Sequence, residues 1–158
     1  MNIRKAHLDD VTSMVNLWFQ LMNYHKDHHI LFIAKENAEQ LVHEDLKKRV
    51  EDVNCRFFIA EIENELAGFI SCSFRITQEV MIYNKRGYVS ETVVNEKFRG
   101  NGIGKKLFER AEQWFEEEGA DHIELQVSLK NTVAMNFWGN QGFAGTTKHM
   151  VKLLKKKE

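Results

Sequence analysis

"NEKFRGNGIGKKLF" spans residues 95–108 and carries three closely set glycines, Gly100, Gly102 and Gly104. Before it runs a β-rich stretch, GYVSETVV (87–94). After it comes a helical pattern in which Ile103, Leu107, Ala111, Trp114 and Phe115 share one face. Glycine tolerates positive φ and has no Cβ to hold a ligand away from the backbone. The first amides of a helix lack partners, and the helix dipole places partial positive charge there. A strand, a glycine loop and a helix in that order therefore make an anion site suited to phosphate or pyrophosphate. Arg99, Lys105 and Lys106 add positive charge around it. Two common glycine motifs do not fit. A dinucleotide-binding G-x-G-x-x-G would need glycine where Lys105 or Leu107 stands. A Walker A loop would need Ser or Thr at Lys106 and Gly at Arg99.

Working outward, Gly119 stops the helix that follows the loop, and HIELQV (122–127) alternates as a strand with Ile123, Leu125 and Val127 on one face. NTVAMNFWGNQG (131–142) reads as a short helix closed by Gly142. The remainder, to about Leu154, can supply one or two strands. Upstream, NIRKA is a short first strand. Asp9 or Asp10 can cap a helix striped by Val11, Met14, Val15, Trp18, Leu21 and Met22, which fades in the His-rich YHKDHH. A second helix over about 35–50 puts Ala38, Leu41, Val42, Leu46 and Val50 on one stripe. RFFIAEI and LAGFISCSF read as strands, and the short polar ENE between them suits an antiparallel hairpin. MIYNKRG (81–87) reads as a mobile loop. The order β-α-α-β-β-β-α-β-α-β predicts an α/β (α+β) sandwich: a mixed sheet with helices on both faces.

Composition bounds the function. The 158 residues suit one domain, 1–158, with 43% apolar and 28% charged residues. A net charge of −1 gives no global basic field, so nucleic acid is not an expected partner. The acidic stretch 109–124 and the basic KKKE read as solvated surface. No run approaches a membrane span or a secretory leader, so no membrane partner and a cytoplasmic setting are expected. Cys55 and Cys72 sit in apolar strand-like runs and form no disulfide framework.

The loop also fills R-x-x-G-x-G with Arg99, Gly102 and Gly104, and here the sequence resembles the GNAT superfamily of acyl-CoA-dependent N-acetyltransferases. Residues 87–143 are similar to that family's strand 4, pyrophosphate loop, helix 3, strand 5 and helix 4 in unbroken order. The matching features are V-x-x-x-x-R-G-x-G-I-G from Val94, the E-x-G-A turn ending at Ala120, and N-x-x-A-x-x-F from Asn131 followed by Gly142-Phe143. The N-terminal half agrees in element order and carries no diagnostic motif.

The resemblance implies a largely antiparallel sheet whose strands 4 and 5 splay into a cleft for CoA, with acetyl-CoA as co-substrate and no metal. It implies that amides of Arg99, Gly100, Asn101, Gly102, Ile103, Gly104 and Lys105 hold the pyrophosphate, with Lys97, Lys105 or Lys106 available to the phosphates. Backbone near Thr92, Val93 and Val94 would hold the pantetheine arm, with a backbone N–H there as a small oxyanion hole. Asn131 would contact the CoA arm, and Phe137 and Trp138 would lie beside it. Family members often form homodimers, though nothing in this sequence specifies one.

Acetyl transfer to an alkylamine needs a base, because such an amine has a pKa near 10. Glu91, in strand 4, is the candidate; a salt-bridged strand residue is the alternative. The family's usual aromatic-Tyr pair in helix 4 is Phe137-Trp138 here. An indole N–H donates a hydrogen bond but is not a general acid near neutral pH. The thiolate then leaves unaided, or takes a proton from water or from Tyr24, Tyr83 or Tyr88. His25, His28 and His29 lack zinc-ligand company and read as a helix end and loop lining the acceptor pocket, while His43 and His122 read as surface. The expected activity is direct transfer from acetyl-CoA to a primary amine, on a small molecule, a lysine or an N-terminus, through a ternary complex without a covalent acyl-enzyme. The missing tyrosine motivates the alternative of a non-catalytic acyl-CoA-binding or sensing module.

Overall fold

The computed structural model describes residues 1–155, with Ile76 described by its backbone alone. In chain order the elements are β1 (Asn2–Lys5), α1 (Val11–His25), α2 (Ala38–Glu51), β2 (Cys55–Ile62), β3 (Glu65–Ile76), β4 (Lys85–Val94), α3 (Ile103–Glu117), β5 (His122–Leu125) and α4 (Thr132–Asn140). The strands form one sheet in sequential order β1-β2-β3-β4-β5. Every pairing is antiparallel except β4 with β5, which is parallel. The mixed α/β sandwich expected from the sequence is present.

Alternation along β2 and β3 builds two cores. Phe58, Ile70 and Cys72 face α3 and α4, where they meet Ile103, Leu107, Phe108, Ala111, Trp114, Phe115 and Trp138. Their neighbours Phe57, Ile59 and Phe69 face the other way, toward Val11, Met14, Val15, Leu17 and Leu46 of α1 and α2. The two-residue turn Glu63-Asn64 has φ values of 51° and 64°, as hairpin turns matched to strand twist require.

Four expectations change. Leu41 is exposed, because the buried ridge of α2 runs through Ala38, Val42, Leu46 and Val50 at fourfold spacing and Leu41 lies beside it. Asp10 does not cap α1. Its carboxylate is gripped by Arg4 at 2.8 and 2.9 Å and accepts the His7 amide at 2.7 Å, which organises the 3-10 turn Leu8–Asp10 instead. The strands expected after Gly142 do not form among the described residues: 144–155 is exposed and enters no ladder, so its apolar residues have no partner strand to pair with. His43 and His122, read as surface, are half-buried, and His122 Nε2 lies 3.0 Å from Glu124. In the 81–87 segment Val80, Met81, Ile82 and Tyr83 are exposed, while Asp121 accepts the Asn84 and Lys85 amides at 2.9 and 2.7 Å.

Candidate active site

The site begins with a break in the sheet. Pairing of β4 with β5 runs from Arg86↔His122 to Val89↔Leu125 and stops there, leaving Ser90–Val94 of β4 without a β5 partner. On its other side, β4 pairs Val89 with Cys72 and Glu91 with Ser71, so Ser90 is the extra residue of a bulge. That one residue reverses the strand's facing. Val89 packs into the α3/α4 core, whereas Val93, four residues on, packs into the α1/α2 core. Without the bulge both would share a face. Between the parted strands lies a cavity of ≈ 70 Å³ walled by His25, Ser90, Glu91, Thr92, Val127 and Trp138. Thr92 Oγ1 is buried there with no hydrogen-bond partner.

At the end of β4 the chain makes the 3-10 turn Glu96–Phe98 and enters the glycine loop. Gly100 has φ 83° and Gly102 φ 71°, left-handed values that side chains resist. Gly102 is the N-cap of α3 and offers no side-chain cap. Among the described residues, no amide from Gly100 through Lys105 donates a hydrogen bond; Lys106 is the first to do so, to Gly102 O at 3.1 Å. A Cβ on Gly100 or Gly102 would meet nothing within 4 Å, so these glycines serve the backbone turn and leave open space over the amides. At Gly104 a Cβ would touch the Phe137 ring at 3.5 Å. An anionic group fits this run of free amides, and the unpartnered Thr92 hydroxyl lies along the strand leading from it.

The basic side chains divide. Arg99 folds back, Nε donating to Val94 O at 3.3 Å with Glu96 at 3.6 Å, and so ties the loop to the end of β4. Lys97 pairs with Glu65 across the β3–β4 edge, so it is engaged away from the free amides. Lys105 is exposed with Glu109 at 3.7 Å, and Lys106 has no acidic partner within 4 Å among the described residues.

Glu91 is turned by the bulge toward α2. Arg49 grips both its oxygens, Nη1 to Oε1 at 3.0 Å and Nη2 to Oε2 at 2.7 Å, and the Ser71 hydroxyl donates to Oε2. Arg49 also donates to Ser71 Oγ at 2.7 Å and lies over the Phe57 ring. Despite burial, which works against its charge, the Glu91 hydrogen bonds raise the Arg49 pKa above its ordinary value. Sequence reasoning missed Arg49 and Ser71. Arg49 looks like any charged helix residue, whereas Ser71, fully buried in an apolar strand, was a readable sign of a polar partner.

His25 comes from the last turn of α1 to the wall of the cavity. Desolvation, with the His28 charge next, lowers its pKa, so the imidazole is neutral at pH 7. His25 Nδ1 is 3.4 Å from His28 Nδ1. Tyr24 carries its hydroxyl to Asn131 Oδ1 at 3.3 Å, joining α1 to α4. The same Oδ1 accepts the Ala134 amide at 3.0 Å, so Asn131, buried, caps α4. Trp138 packs among Phe108, Phe137 and Phe143 and presents its edge of that aromatic cluster to the cavity. Of the other hydroxyl candidates, Tyr83 is exposed and Tyr88 lies under Arg75. Burial pushes both thiols up, Cys72 most strongly, so neither is a thiolate nucleophile near neutral pH. No group of three metal-ligating side chains gathers among the described residues, and no helix there is long and apolar enough to cross a membrane.

Comparison with known proteins agrees with this arrangement. The model of the acetyltransferase (GNAT) family matches residues 13–143. An uncharacterized N-acetyltransferase of Archaeoglobus fulgidus is 29% identical over 143 residues, which is 89% of this chain and 91% of that protein. Among solved structures, a tetramutant of a Bacillus halodurans protein superposes with a TM-score of 0.86 at 24% identity, covering 98% of this chain and 100% of that one. A predicted acetyltransferase of Clostridium acetobutylicum, solved with acetyl-CoA, gives 0.78 at 18% identity over 97% and 96%. At such identities the structures speak for the fold, and the family model speaks for descent over most of the chain. The splayed strands, the uncapped glycine loop and the matched sequence converge on one conclusion: the chain belongs to the GNAT acetyltransferase family.

Proposed function

We propose that the chain is an N-acetyltransferase that moves the acetyl group of acetyl-CoA directly to a primary amine in a ternary complex. The observation that carries this is the run of unpaired amides from Gly100 through Lys105, opening onto a strand edge that β5 leaves free. The amides take the pyrophosphate, with Lys105 and Lys106 beside them. The pantetheine adds to the bare edge of β4 along Thr92, Val93 and Val94, where Thr92 Oγ1 awaits a partner. Asn131, Phe137 and Trp138 form the far wall. The thioester then lies at the bulge, with the amine entering from the α1 side.

In the reaction the amine nitrogen attacks the thioester carbon, the C–S bond breaks, and the electron pair leaves with sulfur. The amine gives up a proton in the same sequence. Trp138 is no acid, and an unperturbed thiol pKa of about 8.5 lets the thiolate leave unaided. For the proton taken from the amine there are two groups. Glu91 is the carboxylate at the splay, and acting as base it must loosen its Arg49 fork. A specific observation favours His25: it lines the cavity, where burial lowers its pKa and so favours the neutral imidazole. Glu91 with Arg49 then fixes the local charge on the acceptor side. The acceptor is a small-molecule or peptide amine.

Thiol release from acetyl-CoA against a panel of amines tests the reading. Release with an amine supports transfer; acetyl-CoA binding without release to any amine would favour a sensing module; no binding would remove both.

A further inference from the structure

Arg75 of β3 and Arg86 of β4 stand directly opposite each other in the ladder. A Cβ on Gly87 would run into the Phe115 ring at 2.7 Å, so Gly87 faces α3, and its neighbours Arg86 and Tyr88 face the other way. The register brings His122 and Glu124 of β5 onto that same face, opposite Arg86 and Tyr88. None of these side chains enters the core that α1 and α2 close; Arg75 is exposed and the others are half-buried.

Like charges directly opposite each other on a sheet repel. Glu124 answers Arg86 alone: Oε2 accepts from Arg86 Nη1 at 3.0 Å, and Oε1 lies 3.0 Å from His122 Nε2. Arg86 Nε stays buried with no hydrogen-bond partner. Arg75 has no acidic partner within 4 Å among the described residues, and its guanidinium carbon lies 3.5 Å from the centre of the Tyr88 ring. The next carboxylate along this face, Glu91, is held by Arg49 and Ser71. This stretch therefore carries positive charge that its own carboxylates do not neutralise. It also adjoins the cleft. Tyr88 precedes Val89 and Ser90, and Glu124 precedes Leu125 and Gln126, all of which wall the cavity.

We propose that Arg75 and Arg86 form an anion subsite for the acceptor, so that the amines acetylated are those on a molecule that also bears a carboxylate. The inference rests on the acetyl-transfer reading, in which the amine meets the thioester at the β4 bulge. A carboxylate between the two guanidinium groups removes their repulsion and accepts charge-assisted hydrogen bonds from them. A strand rises about 3.3 Å per residue, which sets Arg86 roughly 13 Å from Ser90 and leaves on the order of 10 Å between amine and anion once the side chain reaches back. The amine and carboxylate of a single free α-amino acid are too close together to span that. An extended peptide covers it in about three residues, so an N-terminal amine with an acidic third residue fits. An ω-amino acid of equal length carries the same chemistry on a small molecule.

Thiol release from acetyl-CoA reads the preference, using C-terminally blocked peptides that differ only in a third residue of Glu, Gln or Arg. The Glu peptide is expected to exceed the Gln peptide roughly tenfold in kcat/KM, chiefly through KM, with the Arg peptide lower still. Raising the salt should narrow that gap, because charges near the surface are screened. Arg75→Gln should erase most of the preference, and Arg75→Glu should turn it toward the Arg peptide, a reversal that loss of structure cannot produce. The ω-amino acid, set against the alkylamine of the same length, tells a small acceptor from a peptide. Anisotropy of the same peptides, labelled and with CoA present, reads the subsite apart from turnover. If no amine releases thiol but the carboxylate ligand still binds best and does so through Arg75, the transfer reading fails and the subsite stands. A carboxylate preference absent from both the peptide and the small-molecule arms overturns the proposal, as does one that survives Arg75→Gln.

Discussion

Gly102 illustrates what one residue decides. Its φ of 71° is costly for a side chain, by roughly 1–2 kcal/mol, although the space around a Cβ there is empty. Gly102→Val should therefore lower stability by about that amount and lower acetyl-CoA affinity by more than tenfold, since the added groups stand over the free amides. Calorimetric titration checks the second effect, and unchanged affinity would move the pyrophosphate elsewhere. Arg49→Ala leaves Glu91 and Ser71 without their partner in a largely buried pocket, which should cost about 1–3 kcal/mol in a urea melt. At His25 the sign is fixed by burial. Its folded pKa lies below the ordinary value of about 6.5, so the unfolded chain binds the proton more readily. Its contribution to stability is present above pH 6.5 and is lost as pH falls through the folded value. If His25 is the base, kcat/KM falls over the same acid range, and His25→Gln removes that limb while Glu91→Gln leaves it in place. His28 and Tyr24 lie against this imidazole and Glu91 lines the same cavity, so profiles of His28→Asn belong beside it.

The β4 bulge is the element on which the cleft turns. Deleting Ser90 would restore unbroken alternation, swinging Glu91 away from Arg49 and Val93 out of the α1/α2 core. Activity should vanish and the melting temperature drop by several degrees. A deletion variant that kept full thiol release would refute the role given to the bulge. This feature was hidden in the sequence, since GYVSETVV reads as a plain strand and one unpaired residue leaves no mark in composition. The helix stripes were legible by contrast. All five apolar positions read for α3 are buried, because a wide apolar face on a 3.6-residue period has one way to avoid water. Leu41 was misread since at short range i+3 and i+4 neighbours look alike, and only the packed sheet selects the ridge.

For the whole molecule, ligand and fold are linked. Acetyl-CoA at about 100 times its dissociation constant should add about 2.7 kcal/mol. For a domain of this length that raises the melting temperature by roughly 5–11 °C, with NAD giving no rise. A flat melting curve with acetyl-CoA would sink the cofactor reading along with the reading of residues 95–108.

The sequence by itself determined the elements from β1 through α4, the apolar stripe of α3 and the glycine loop, because periodicity and the steric freedom of glycine are local properties. Its resemblance to the GNAT family named Glu91, Asn131 and Trp138 as candidate site residues. Only the tertiary structure decided their company. Glu91 is held by Arg49, 42 positions away. Asn131 is joined by Tyr24, 107 positions away. Residues 144–155, strand-like in sequence, enter no ladder. Contacts of that range depend on how the sheet twists, bulges and ends, and no window of sequence contains them.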